Sequence, residues 1–211
     1  MSTCPRGRKG FRGNTAKIVR ADVSMKTVVL HGSPKRNGSS DTLAASFIKG
    51  LNASGNNETK DFYTNELRIR PCQGCLTCNR SEEPTCAIKD DMQEIYSAFV
   101  DADVAVFATP MYWGYMTAQL KAVMDRMEAI ASPKYFRDKT LVVIITYHYH
   151  YESTVAFFKR IAPYFGFNLH VITCCTLDKT SQKDVHVSNC KEKLEEAYEL
   201  GKSLGKPHSL D

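Results

Sequence analysis

The chain of 211 residues has one tryptophan, Trp113, and no apolar run approaching the ~20 residues that a membrane helix needs. Its opening stretch, MSTCPRGRKGFRGNTAKIVR, lacks the apolar segment of a secretory signal. The loop GSPKRNGSS (32–40) has no Gly-Lys-Ser/Thr after its second glycine and does not match Gly-x-Gly-x-x-Gly, so it is neither the triphosphate loop nor the dinucleotide fingerprint. There is no internal repeat and no interdomain linker. An excess of positive charge is also missing from most of the chain. The net charge of +5 arises in residues 1–24, which hold six of the 28 Lys and Arg but only one of the 23 acids. The remainder carries equal numbers of each sign. Residues 1–24 are therefore expected to be a basic, disordered leader, and residues 25–211 one folded domain. No nucleic-acid or membrane partner is expected of it.

Hydrophobic residues make up 43% of the sequence, enough for a buried core. Short apolar runs alternate with helical periodicities. KTVVLH (26–31), a weaker stretch near 58–63, DVAVFA (103–108), KTLVVIITY (139–147) and FNLHVITCC (167–175) predict five strands. Leu43, Phe47 and Leu51 mark a helix behind Ser39 or Ser40 as cap, and Met92, Ile95, Tyr96 and Phe99 mark another behind Asp90 or Asp91. Two further helices carry Leu120, Val123 and Met127, then Val155, Phe158 and Ala162; a last one covers about 188–204. Such alternation implies an α/β fold, a parallel sheet with right-handed crossovers and helices on both faces. Ligands of these sheets bind beyond the carboxyl ends of the strands, so the segments that follow the strands are the informative ones.

After the first strand comes GSPKRNGSS (32–40). A phosphate there would meet free N–H groups and the positive end of a helix dipole, with hydroxyls from Ser33, Ser39 and Ser40 and charge from Lys35 and Arg36. Gly32 and Gly38 allow close backbone approach. After the third strand, TPMYWGYM (109–116) sets Met111, Tyr112 and Trp113 between Pro110 and Gly114, side chains able to wall a flat ring system. Eight cysteines occur, four of them as Cys72-x2-Cys75-x2-Cys78-x7-Cys86. Without a secretory signal, this clustering favours metal or redox chemistry over a disulfide framework, and a cytoplasmic location. Three thiols at x2 spacing suit one face of an iron–sulfur cubane better than the separated knuckles of structural zinc. Cys174 and Cys175 end a strand and read as buried filler.

The segments GSPKRNGSSDTLA, PCQGCLTC, CAIKDDM and ADVAVFATPMYWGYMTAQLKAVMDR, in this order, resemble the flavodoxin-like NAD(P)H-dependent FMN reductases, close to the iron–sulfur flavoprotein branch, over about residues 26–200. The resemblance implies a flavodoxin-like three-layer sandwich with a five-stranded parallel sheet in the order 2-1-3-4-5, and bound FMN. By motif position Ser33, Lys35, Ser39 and Ser40 hold the phosphate, with Arg36 and Gly38 beside them. Pro110, Met111, Tyr112, Trp113 and Gly114 face the isoalloxazine. The segment TYHYHY (146–151), with Tyr147, completes the pocket, and its bulk departs from the small, Gly-rich loop expected there. His148 and His150 show no acidic or cysteine partner in the sequence, which argues against a metal between them. Lys121, Asp125 and Arg126 read as a surface or interhelix ion pair rather than as catalytic groups, and no acid–base triad is present.

The implied activity is NAD(P)H-dependent reduction of a flavin, quinone or similar small acceptor. Two alternatives stay open. In one, a [4Fe–4S] cluster on Cys72, Cys75, Cys78 and Cys86 passes electrons between ferredoxin and FMN. In the other, the four cysteines are free thiols or a disulfide, and the protein is a non-catalytic thiol redox sensor. A homodimer or homotetramer is implied by the resemblance alone.

Overall fold

A computed structural model describes residues 24–80 and 86–205. The expected leader, but for Ser24, lies outside them. Strand β1 (Met25–His31) leads into helix α1 (Ser39–Ser54) and strand β2 (Asn57–Tyr63). A long loop reaches α2 (Met92–Asp101), then β3 (Val104–Tyr112), the two-residue β4 (Tyr115–Met116) and α3 (Ala118–Arg126). A short turn of helix, α4 (Pro133–Phe136), precedes β5 (Thr140–Tyr147), α5 (Glu152–Phe165) and β6 (Asn168–Cys175). A small antiparallel pair, β7 (Leu177–Asp178) with β8 (Lys183–Asp184), leads to α6 (Lys191–Leu204).

The five long strands lie parallel in the order β2-β1-β3-β5-β6, which is 2-1-3-4-5 when those five are numbered along the chain. This is the flavodoxin-like order. The central strands are apolar on both faces, as a sheet covered by two helix layers requires: Val28–Leu30, Val104–Ala108 and Leu141–Ile145 are buried throughout. One core holds Met92, Ile95, Phe99, Leu120, Val123 and Phe158 from α2, α3 and α5. The opposite core holds Leu43, Phe47, Leu51 and Ala197 from α1 and α6. There the two helices touch backbone to backbone. A Cβ on Gly50 would collide with the Tyr198 carbonyl, and one on Gly201 with that of Phe47. Among the described residues no helix is long and apolar enough to cross a membrane.

Two local expectations are corrected. The residue at the start of α1 is Gly38, and no side chain caps the helix; Ser39 Oγ instead accepts the Val187 N–H at 3.1 Å. The third strand does not stop at residue 108. It runs on to Tyr112 and turns back as a hairpin, with Met111 paired to Met116 and Tyr112 to Tyr115. Trp113 and Gly114 form the two-residue turn, both left-handed at φ 52° and 76°, the geometry a tight hairpin demands.

Candidate functional site

A cleft of about 620 Å³ opens at the carboxyl ends of β1, β3 and β5, where the strand order reverses. Its volume lies within the range of small-molecule sites. Four segments line it. The loop after β1 supplies Ser33, Lys35, Arg36, Gly38, Ser39 and Ser40, and the end of β3 supplies Pro110, Met111 and Tyr112. Thr146, Tyr147 and His148 come from the end of β5, and Thr176, Asp184 and His186 from the segment after β6. Ten of the twelve residues read from the sequence as cofactor-binding thus converge. Trp113 and Gly114 do not: they sit at the hairpin tip, and the Trp113 side chain is fully exposed.

The loop at the head of α1 is built to be rigid. Ser33 Oγ donates to the Lys35 carbonyl at 3.0 Å and accepts the Lys35 N–H at 3.1 Å. Asn37 takes a left-handed φ of 58° just before the helix. The uncapped first turn of α1 leaves backbone N–H groups at the positive end of a 16-residue dipole. The Lys35 ammonium makes no hydrogen bond or ion pair among the described residues, and beyond its charge interaction with Asp184 it is available to a ligand. Arg36 is committed elsewhere. Its guanidinium bonds both oxygens of Glu66, at 2.6 and 2.5 Å, and lies 3.6 Å over the Tyr63 ring. That pairing raises the Arg36 pKa and lowers that of Glu66.

Tyr63 in turn stacks on His31, 4.2 Å between ring centres and nearly coplanar. His31 is buried and held at both ring nitrogens, Nδ1 to Asp41 at 3.0 Å and Nε2 to Asp61 at 2.8 Å. Burial favours neutral imidazole, but the hydrogen bonds and charges of the two carboxylates outweigh it, and the pKa is raised above 6.5. The sequence reading passed over this histidine because its partners come from two other elements.

The opposite wall was also unforeseen. β7 and β8 are only two residues long and carry no strand periodicity. They nevertheless bring Asp184 to His148 Nε2 at 2.9 Å and Gln182 to the Tyr149 hydroxyl at 3.1 Å. His148 therefore does have an acidic partner, one on a hairpin with no sequence signal. The hydrogen bond from His148 lowers the Asp184 pKa.

The cysteine loop forms a second cavity. Cys72, Cys75, Cys78 and Cys86 all line it, together with Asp125, Arg126 and Glu128. All four are free thiols, as are Cys174, Cys175 and Cys190. Burial pushes the Cys78 thiol up, while a hydrogen bond with Thr77 lowers that of Cys75. Cys174, buried near the carboxyl end of β6, is pushed up to about 12 by that burial, in keeping with an inert packing role. Among the described residues no three His, Cys, Asp or Glu side chains converge on one point as a single metal ion would require.

A flavodoxin-like sheet with its cleft at the switch point and a helix N-terminus in the wall defines a class of mononucleotide-binding α/β proteins. The sequence profile of the NADPH-dependent FMN reductases matches residues 25–173, and the chain belongs to that family. It is 42% identical over 119 residues to an iron-sulfur flavoprotein of Archaeoglobus fulgidus, covering 56% of this chain and 59% of the relative. It is 33% identical over 102 residues to an iron-sulfur flavoprotein of Methanosarcina thermophila, covering 48% and 52%. The chain thus spans little more than half the length of these curated relatives. Among solved structures, an NAD(P)H:quinone oxidoreductase from Methanothermobacter marburgensis superposes with a TM-score of 0.62 at 19% identity, covering 89% of this chain and all of that one. An azoreductase from Bacillus anthracis gives 0.67 at 13% identity, covering 85% and 99%. At these identities the likeness is one of fold.

Proposed function

We propose that the cleft binds FMN and that the protein is an NAD(P)H-dependent FMN oxidoreductase acting on a flavin, quinone or similar small acceptor. The observation that carries this reading is the wall of the cleft: an uncapped helix start beside Lys35, facing Met111, Tyr112 and Tyr147. The first part suits a phosphate dianion and the second a flat ring. Ser33, Lys35, Ser39 and Ser40 would take the phosphate, while Pro110, Met111, Tyr112 and Tyr147 would flank the ring. FMN when bound supplies the chemistry, accepting a hydride and releasing electrons one at a time. The chain's own task is to position a donor, exclude water and hold the ring's polar edge. The family match and the solved neighbours, named as quinone oxidoreductase and azoreductase, support the assignment.

The four thiols favour a second reading of the same protein, in which a cubane cluster exchanges electrons with FMN and with a ferredoxin. The donor set fits: four sulfurs and no histidine line one cavity. A cubane takes one thiolate on each of four irons, so its ligands surround it rather than meet at a single ion. Two relatives named as iron-sulfur flavoproteins point the same way. Tyr112 and Tyr149 expose aromatic surface around the cleft mouth, which suits closure of the site by a second copy of the chain.

The deciding experiment is an absorption spectrum of protein produced with ample riboflavin and purified without oxygen, followed by turnover assays. Flavin bands with NADPH-driven quinone reduction establish the first reading. Added broad absorbance that bleaches on reduction, with turnover from reduced ferredoxin only, establishes the second. Colourless protein that leaves FMN fluorescence unchanged overturns both.

A further inference from the structure

Arg126 is the largest fully buried side chain of the described residues, with 1% of its side-chain surface exposed. It is placed by the last turn of α3, directly behind the cavity that the four cysteines line. Its partners lie on both sides of the cysteine loop. Nη1 donates to the Arg70 carbonyl at 2.8 Å, two residues before Cys72, and to Asp90 Oδ2 at 2.9 Å. Nη2 donates to the Ile88 carbonyl at 3.2 Å, two residues after Cys86, and to Asp90 Oδ1 at 3.1 Å. Asp90 completes the knot by accepting the Arg70 N–H at 3.0 Å and the Met92 N–H at 3.2 Å. The Tyr96 hydroxyl fixes the base of the side chain by donating to the Arg126 carbonyl at 2.8 Å. One donor is left over: the buried Nε–H has no partner.

A buried ion pair is by itself a poor source of stability, since apolar residues of equal volume often do as well. This one has a geometry that stability alone does not call for. A planar fork grips the entering root and the leaving root of one loop, which only arginine can do. The described residues of the enclosed segment include the four cysteines, two of them exposed, and Leu76, more than half exposed. Left open, such a loop would pay chain entropy each time its thiols were gathered. Closed at its roots, it has less freedom to lose. The spare Nε–H of a buried cation that lines the same cavity as the thiols suits a site whose occupant is bound as thiolates and carries negative charge.

We propose that Arg126 is the positioning residue of the four-cysteine site, clamping both roots of the loop so that Cys72, Cys75, Cys78 and Cys86 act as one ligand set. This inference rests on the reading of that loop as a metal or cluster site. Its test reconstitutes anaerobic, reduced protein with iron and sulfide and follows the iron–sulfur absorbance as a chelator strips it, with Arg126→Lys and Arg126→Gln beside the wild type. Both variants should lose the cluster about 10- to 100-fold faster, as losses of outer-shell partners do. FMN affinity, which reports on the folded cleft, should stay within about twofold. Arg126→Lys keeps the charge and loses only the fork, so wild-type cluster retention in that variant overturns the proposal. If the variants do not fold, hydrogen exchange in metal-free wild type decides. The Arg70 and Met92 amides should exchange at least about tenfold more slowly than those of Gln73 and Gly74, and equal rates overturn the clamp. A wild type that takes up no iron and sulfide overturns the cluster and with it the clamp, whereas a wild type that takes them up beside an equally retentive Arg126→Lys overturns the clamp alone.

Discussion

Lys35 and Arg36 stand side by side in the sequence with equal charge, yet the fold gives them different work. Lys35 faces the cleft unpaired, while Arg36 is locked to Glu66 and Tyr63. Lys35→Ala is expected to weaken FMN binding about 10- to 100-fold, the scale of one charge-assisted hydrogen bond, and Arg36→Ala severalfold less. Fluorescence titration of FMN into each variant checks the order, and a larger loss from Arg36→Ala would reverse the assignment. His31 gives a pH dependence. Its folded pKa is raised, so its contribution to stability is complete below the unfolded value of 6.5 and is lost as pH climbs through the folded one. Unfolding by urea at about pH 6 and about pH 9 should show wild type losing more stability over that interval than His31→Gln, which itself should cost about 3 kcal/mol at the lower pH. Parallel losses in the two proteins would mean that His31 is not held as imidazolium. The loop around Lys35 could be read from sequence because a phosphate site is local: small residues, a helix start and a cation within ten positions. The His31 pairing could not, since Asp61 reaches it only across the β1–β2 register.

At the level of elements, the β3–β4 hairpin is where pattern and fold part company. TPMYWGYM lacks the alternation of a strand and reads as a loop, because Pro110 and Gly114 are loop residues by composition. The register of β3 against β5 nonetheless continues through Pro110, opposite Thr146, and the chain turns only at Trp113. A tight turn with two left-handed residues prefers Asn-Gly, so Trp113 holds a conformation its side chain does not favour. Trp113→Asn is expected to raise unfolding stability by roughly 0.5–1 kcal/mol and to leave FMN affinity within about twofold, since the indole lies outside the cleft. A loss of stability on denaturant titration would show that the exposed ring is doing something the turn geometry does not reveal. The five long strands were legible because buried parallel strands are written as continuous apolar runs. β7 and β8 were not, because two residues cannot carry a period.

For the molecule as a whole, the cleft draws on four separate segments that meet only in the folded state. A ligand bound there is therefore linked to global stability. FMN at about 100 times its dissociation constant should add about 2.7 kcal/mol and raise the melting temperature by roughly 5–10 °C, visible by calorimetry. An unchanged melting point at saturating FMN would place the flavin elsewhere or nowhere. The stretch from Glu66 to Arg70 ties the two cavities into one structure. At one end Glu66 anchors Arg36 of the phosphate loop, and at the other Arg70 is gripped by Asp90 and Arg126 beneath the cysteines. Between them the Arg68 amide is held by Asp91. Strain at the thiol end has five residues in which to dissipate before it reaches the flavin end, and most of those five are already fastened. Oxidative damage to the cysteines should accordingly be taken up at those fastenings and leave the grip on the nucleotide nearly as it was.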